Sequence, residues 1–261
     1  RTLQSYASSL KWLHFSMGFI SPTDDLFVQN VIRAARKVTA RPINKKKPVT
    51  EEMMRKICKS WENDKSLGNT RFILSCLLQI HGFLRSKELL NIQRNHITIH
   101  DDFLSILIPV SKTDSLRKGN IVLIARDEEN SSMCPWTFLQ RYFAQTDLVE
   151  VSDLYLFRRI IQVKNSPARL SKTNVHITYA TYRDILLKKL KDLGYEDYKA
   201  YGTHSFRASG ATICANEDVD LDLIARQGRW KSLCVKGYIE LDIEHRLRAS
   251  RALAKQLGKL W

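Results

Sequence analysis

Tyr238 lies in "GRWKSLCVKGYIE" (residues 228–240), eight residues after Trp230. A tyrosine hydroxyl becomes a nucleophile once a base takes its proton. Trp230 offers an indole N–H, which donates a hydrogen bond but shuttles no proton. Four residues elsewhere have types that suit a phosphate under attack. Arg85 in "LRSKELL" and Arg207 in "THSFR" carry planar guanidinium forks that match pairs of phosphate oxygens. His204 precedes Arg207 by three residues, on one face of a helix start, and its ring exchanges a proton near neutrality. Lys112 in "PVSKTDS" supplies an ammonium on a flexible stem. Each has a blander alternative. One tyrosine among nine is ordinarily a half-buried aromatic. Arg85 would bond Glu88 at i+3, Lys112 would keep a sheet edge soluble, and an HxxR pair arises readily by chance.

These residues need elements to hold them. Residues 1–37 read as helical, with apolar residues at helical spacing in "SYASSLKWLHFSMGFI" and with Asp24 and Asp25 in the first turn of "TDDLFVQNVIRAARKV". "TARPINKKKPVT" follows, a basic run bracketed by Pro42 and Pro48 that suits an extended linker. A second unit begins at Thr50, a cap for a helix placing Met53 or Met54, Ile57 and Trp61 on one face. "FILSCLLQI" (72–80) reads as a buried helix, too short to span a membrane. "HITIH", "FLSILIPV" and "NIVLIA" change the period to two, which predicts a three-stranded antiparallel meander over 96–124 with Lys112 on a hairpin. Helices then resume: "CPWTFLQRYFAQ", "YATYRDILLKKLKDLG", "SFRASGATICAN", "DLDLIARQG" between caps at Asp220 and Gly228, and a basic tail from Glu244 to Trp261. "SPARLSKTN" (166–174) reads as a basic polar loop. The expected fold is mainly α with one small three-stranded sheet.

Bulk composition narrows the partner. The 261 residues carry 42 Lys+Arg against 27 Asp+Glu, a formal charge of +15. A folded domain this basic meets a polyanion, since neutralising phosphates releases condensed counterions. No basic amphipathic helix with an aromatic-rich apolar face stands out, which makes a membrane the weakest partner. Five cysteines with no CxxC spacing suit a reducing compartment and neither a disulfide framework nor a zinc site. His96 and His100 sit on an alternating strand pattern and do not make a metal site. The first residue is Arg1 and no signal-peptide pattern follows, so the chain reads as part of a longer protein.

Order and spacing together carry more than any single motif. An Arg in "RxxEL" follows a buried helix, a Lys sits on a hairpin, an HxxR opens a much later helix, and Trp230 and Tyr238 close the series. This series resembles the tyrosine recombinases, the integrase family of DNA breaking and rejoining enzymes, over about residues 49–245. The resemblance implies a core-binding, SAM-like helical domain ending at 1–38, a basic linker at 39–48 and a catalytic domain with a tail helix at 49–261. It implies that Arg85, Lys112, His204, Arg207, Trp230 and Tyr238 are catalytic, with Tyr238 the nucleophile and Glu88 in support. It implies double-stranded DNA as partner, no metal or other cofactor, and a dimer to tetramer on DNA joined through the tail. Leu247, Leu253, Leu257 and Trp261 of that tail could equally fold back on their own chain.

Arg41, Lys45, Lys46, Lys47, Lys172 and Lys231 are the expected backbone contacts. "CPWTFLQRYF" and "THSFRASGAT" resemble recombinases of DIRS- and Ngaro-type retrotransposons or of large DNA viruses. An intracellular site follows, nuclear in a eukaryotic host. The alternatives are a type IB topoisomerase-like enzyme, a non-catalytic DNA-binding relative and a generic helical nucleic-acid binder.

Overall fold

The computed structural model describes residues 2–40, 45–112, 114, 116–230 and 233–257. It divides into two compact units, at Lys45 and Lys46. The smaller unit has α1 (Thr2–Ser16) and α2 (Leu26–Val38), joined by a 3-10 turn at Pro22–Asp24. Asp25 alone caps α2, accepting from the amides of Phe27 at 2.8 Å and Val28 at 3.2 Å. Asp24, expected beside it in the first helical turn, lies in the preceding turn and pairs with Lys11 at 2.5 Å. Two helices bury little between them: Trp12, Phe15, Ile20 and Phe27 are exposed.

The larger unit is built around α4 (Leu67–His81), buried along almost its whole length: residues 72–80 are largely apolar, and the buried polar residues Asn69, Thr70, Arg71, Ser75 and Gln79 are hydrogen-bonded. Against it pack α3 (Glu51–Asn63), α6 (Pro135–Ala144) and α8 (Ser205–Asn216). Thr50 caps α3 as its sequence predicts, its Oγ1 accepting from the Met53 amide at 3.2 Å. The meander forms as β1 (Ile97–Ile99), β2 (Phe103–Ile108) and β3 (Asn120–Ala125), with Ile97 opposite Ile106 and Leu104 opposite Ile124. Leu104, Ile106, Ile108, Val122 and Ile124 face the core, while Leu107, Ile121 and Leu123 are exposed. α7 (Tyr179–Asp192) completes the main core through Tyr182, Leu186 and Leu190.

Two sequence readings are corrected. "SPARLSKTN" is not wholly a loop, since β5 (Arg169–Leu170) pairs with β4 (Ile160–Ile161). Two-residue strands leave too short an alternation to be read. Gly228 is not the cap of α9 (Leu221–Gly228) but its last residue, and Arg229 takes the left-handed position at φ 56°. Gly228 is needed for space: a Cβ there would lie 1.8 Å from Trp230 Cζ3.

A second, smaller cluster comprises Phe83, Ala211, Ile224, Trp230 and Val235, with Tyr238 packed at its edge. Gly210 lets α8 approach the end of α4 closely enough to bring the two clusters together. A Cβ at Gly210 would meet Ile80 O at 2.3 Å and Phe83 Cε1 at 2.4 Å. Backbone cannot yield as a flexible side chain can, so Gly210→Ala is expected to cost about 1–3 kcal/mol, read as a lowered urea midpoint at unchanged slope.

Candidate active site

The site is assembled where three chain turns meet. The first follows α4. Phe83 takes φ 45°, and Arg85 caps the short helix α5 (Ser86–Leu90). The second is the entry to α8, where His204 is the N-cap. The third is the left-handed turn at Arg229, which leads through Trp230 towards a 3-10 turn at Leu233–Gly237 and then Tyr238. Buried Gln79 ties the first two together. Its side-chain amide donates to Leu84 O at 3.2 Å and Thr203 O at 3.1 Å, and its carbonyl accepts from the Tyr182 hydroxyl at 2.5 Å.

Glu88 is the hub. Its side chain is 2% exposed and its carboxylate meets three guanidinium groups: Arg85 Nη1 at 2.6 Å, Arg229 Nη2 at 2.8 Å and Arg207 Nη1 at 4.0 Å. It also accepts from the Arg85 amide at 2.9 Å. Burial works against this carboxylate. Arg229, then the Arg85 amide and guanidinium, outweigh it and hold its pKa below the usual 4.5. The plain i+3 bond between Arg85 and Glu88 therefore exists, as part of a larger charge cluster.

Arg207 has no exposed surface. It donates to Phe83 O and, at 2.5 Å, to Gly228 O, while its guanidinium carbon lies 4.1 Å from the Trp230 ring centre and 5.7 Å from that of Tyr238. Burial, then the Arg85 charge, pushes its pKa down to about 9, which leaves it cationic near neutrality. Arg207 Nε and Trp230 Nε1 are both buried donors with no hydrogen-bond partner among the described residues. Such a donor costs about 1–3 kcal/mol unless something accepts from it. His204 keeps an exposed edge. Partial burial first, then repulsion from Arg207 and Arg85, lowers its pKa from 6.5 and favours the neutral ring. Tyr238 is half-buried, its ring 5.1 Å from that of Trp230.

The structure thus brings together Arg85, Glu88, Arg207, Trp230 and Tyr238, with His204 one turn from Arg207 on the same helix. Lys112 is exposed on the β2–β3 loop, and no hydrogen bond or ion pair among the described residues joins it to the cluster. Asp114 closes that loop by accepting from the Lys118 and Gly119 amides at 3.2 and 2.8 Å. Lys172 is exposed just beyond β5. Lys45, Lys46 and Lys47 are exposed too, and two of them are tied down at their tips: Lys46 Nζ donates to Lys199 O at 2.5 Å and Lys47 Nζ pairs with Asp197 at 2.9 Å. Arg41, Lys231 and Trp261 lie outside the described residues.

Sequence reasoning missed Arg229 and Gln79. Arg229 reaches Gly82 O at 3.2 Å and Phe83 O at 3.1 Å as well as Glu88. Its only local signal was a position next to Gly228 and Trp230; beyond a bond to Gln227 O at 2.8 Å, the partners that place it in the site are more than 140 residues away. A lone buried glutamine gives no sequence signal at all.

No family model matches the chain. An integrase/recombinase xerD homolog of Selenomonas ruminantium is 25% identical over 244 residues, covering 92% of this chain and 68% of the relative. The recombinase cre of Escherichia phage P1 is 24% identical over 257 residues, covering 94% and 72%. Among solved structures, XerH site-specific recombinase in a post-cleavage complex with palindromic difH substrate superposes with a TM-score of 0.56 at 18% identity. That match covers 83% of this chain and 54% of XerH, so the chain spans about half of that protein's length. The fold is that of a tyrosine recombinase catalytic domain.

Arg229 gives a test that separates charge from backbone strain. Removing one partner of a buried ion pair costs about 3–5 kcal/mol, so Arg229→Ala and Arg229→Gly should both unfold at lower denaturant than the parent. At φ 56° the glycine variant should be the more stable of the two, by about 1 kcal/mol. Equal midpoints for the two variants would contradict the left-handed assignment.

Proposed function

We propose that this chain is the catalytic portion of a site-specific DNA recombinase or integrase that cleaves and rejoins strands through a 3′-phosphotyrosine. The observation that carries the reading is the charge imbalance at Glu88: three guanidinium groups share one buried carboxylate, a surplus of two positive charges beside a half-buried tyrosine and a neutral-leaning histidine. A phosphodiester under in-line attack develops negative charge on its non-bridging oxygens, and prepositioned donors stabilise it there.

Arg85, partly exposed, and the unpartnered donors of Arg207 and Trp230 are the groups for those oxygens. Tyr238 Oη attacks phosphorus: the Oη–P bond forms and the bond to the 5′ oxygen breaks. His204 takes the phenolic proton, and Lys112 gives one to the departing 5′ oxygen. A 5′-hydroxyl from another strand then attacks the phosphotyrosine and the tyrosine regains a proton. The phosphodiester energy is conserved, so the reaction needs no ATP. In the structure the Tyr238 ring centre lies 5.7 Å from the Arg207 guanidinium carbon, so a phosphate held by Arg207 would lie beside the tyrosine.

Lys45, Lys46, Lys47 and Lys172, with Arg41 and Lys231, are the proposed backbone contacts. The Asp197 pair reduces the share of Lys47. α10 (Ile243–Leu257), with Leu247 and Leu253 exposed, is the element through which copies would assemble on DNA. The segments that resemble DIRS/Ngaro-type and viral recombinases support a mobile element or a large DNA virus as the source, with an intracellular, in eukaryotes nuclear, site of action.

The test uses a pool of nicked duplexes of randomised sequence, in which cleavage releases a short fragment and traps the adduct. The parent should yield a protease-sensitive protein–DNA adduct, and exchange between two captured duplexes should separate recombination from mere relaxation. Tyr238→Phe should abolish the adduct while retaining DNA binding; an adduct that persists in Tyr238→Phe sinks the assignment. Because His204 acts as base in its neutral form and its pKa is lowered from 6.5, single-turnover cleavage should rise with pH through that lowered value and level off by about pH 7. His204→Gln should lose this acidic limb along with most of the rate.

A further inference from the structure

We propose that Thr212 and Asn216 on α8, with Asp218 just beyond it, form a clamp that positions Tyr238 for attack. This rests on the reading of Tyr238 as nucleophile. The segment after Tyr238 is not held by strand pairing, because none of the sheets includes it. Side chains of α8 hold it instead. Thr212 Oγ1 donates to Tyr238 O at 3.3 Å and accepts from the Glu240 amide at 3.1 Å. One hydroxyl, donor and acceptor at once, thus fixes both main-chain groups on that side of the segment. One turn further, Asn216 Oδ1 accepts from the Asp242 amide at 3.3 Å. The residues at i and i+4 share a face of the helix, so the two contacts run in register along α8.

The far end is anchored by charge. Asp218, left-handed at φ 58°, lies two residues past the end of α8, after the C-cap Glu217. Both its oxygens accept from Arg248, at 2.5 and 2.8 Å, and His245 Nε2 lies 3.5 Å away. Asp242 accepts from the His245 amide at 2.8 Å, which caps the start of α10. The same helix that presents His204 and Arg207 at its first turn therefore fixes the Tyr238 main chain two turns later, about 12 Å along the axis from His204. The base and phosphate-binding arginine at one end, and the tethered nucleophile at the other, share one rigid ruler. Thr212 and Asn216 hold main-chain groups of the segment and not the Tyr238 hydroxyl. They are positioning residues, and they commit Tyr238 to the pocket of its own chain.

Two measurements test the clamp. The first needs no DNA. In Thr212→Val the Glu240 amide loses its acceptor, and in Asn216→Ala the Asp242 amide does, so each should exchange its hydrogen about tenfold faster while amides of α4 keep parent rates. Unchanged exchange at both positions overturns the clamp. The second uses the nicked duplex captured by the parent protein. Displacing a reactive group by about 1 Å costs on the order of 100-fold in rate. Thr212→Val should therefore cleave about 10- to 100-fold more slowly at saturating DNA, with DNA affinity within about twofold of the parent. Thr212→Ser, which keeps the hydroxyl, should restore most of the rate. Cleavage by Thr212→Val at the parent rate overturns the proposal, as does a slowed Thr212→Ser that matches Thr212→Val. If the parent captures no duplex, the recombinase reading itself fails, whereas the exchange data still decide whether the clamp holds the segment.

Discussion

The buried carboxylate of Glu88 is the constraint from which the site follows. Three arginine side chains cannot be brought together in a desolvated space without a counter-charge, and Glu88 is the one that meets all three. Being a single carboxylate, it cancels the repulsion only in part. The cluster is held tightly enough to be ordered and left cationic enough to take an anion. Backbone carbonyls supply the remaining order. Phe83 O, turned into the site by a left-handed main chain, accepts from both Arg207 and Arg229.

Around this charge cluster the fold acts as a set of spacers. α4 is buried along almost its whole length and fixes where both α5 and α8 begin, with its own Gln79 as the polar rivet between their entry turns. Gly210 and Gly228 remove side chains where backbone or indole must pass. Strain at Phe83 and Arg229 is tolerated because each turn is over-determined by contacts on both sides.

How much of this was readable beforehand depends on the range of the interaction. Thr50 and Asp220 cap their helices through amides two or three residues away, and that chemistry is written locally. The meander was legible because one face of β2 and β3 is apolar at every second residue. β4 and β5 were not, since two residues carry no period. Arg85, His204, Arg207, Trp230 and Tyr238 were picked out by type and order, yet nothing local revealed that Arg207 would be wholly buried or that Lys46 and Lys47 would be docked on residues 197–200. Arg229 escaped for the same reason: a left-handed arginine is disfavoured locally and makes sense only once Glu88, far along the chain, is beside it.

The division of the apolar interior into a large cluster and a small one has a thermodynamic consequence. Cooperative units in proteins open with free energies that follow the contacts they contain. Trp230 and four other buried hydrophobic residues make a shallow basin compared with the extensive core around α4. Warming or mild denaturant would therefore loosen the Trp230–Tyr238 region in a subglobal opening well before the helices of the main core melt. Tyr238 therefore sits on the softer part of the larger unit, and an anion that engages the arginines would be the agent that stiffens it.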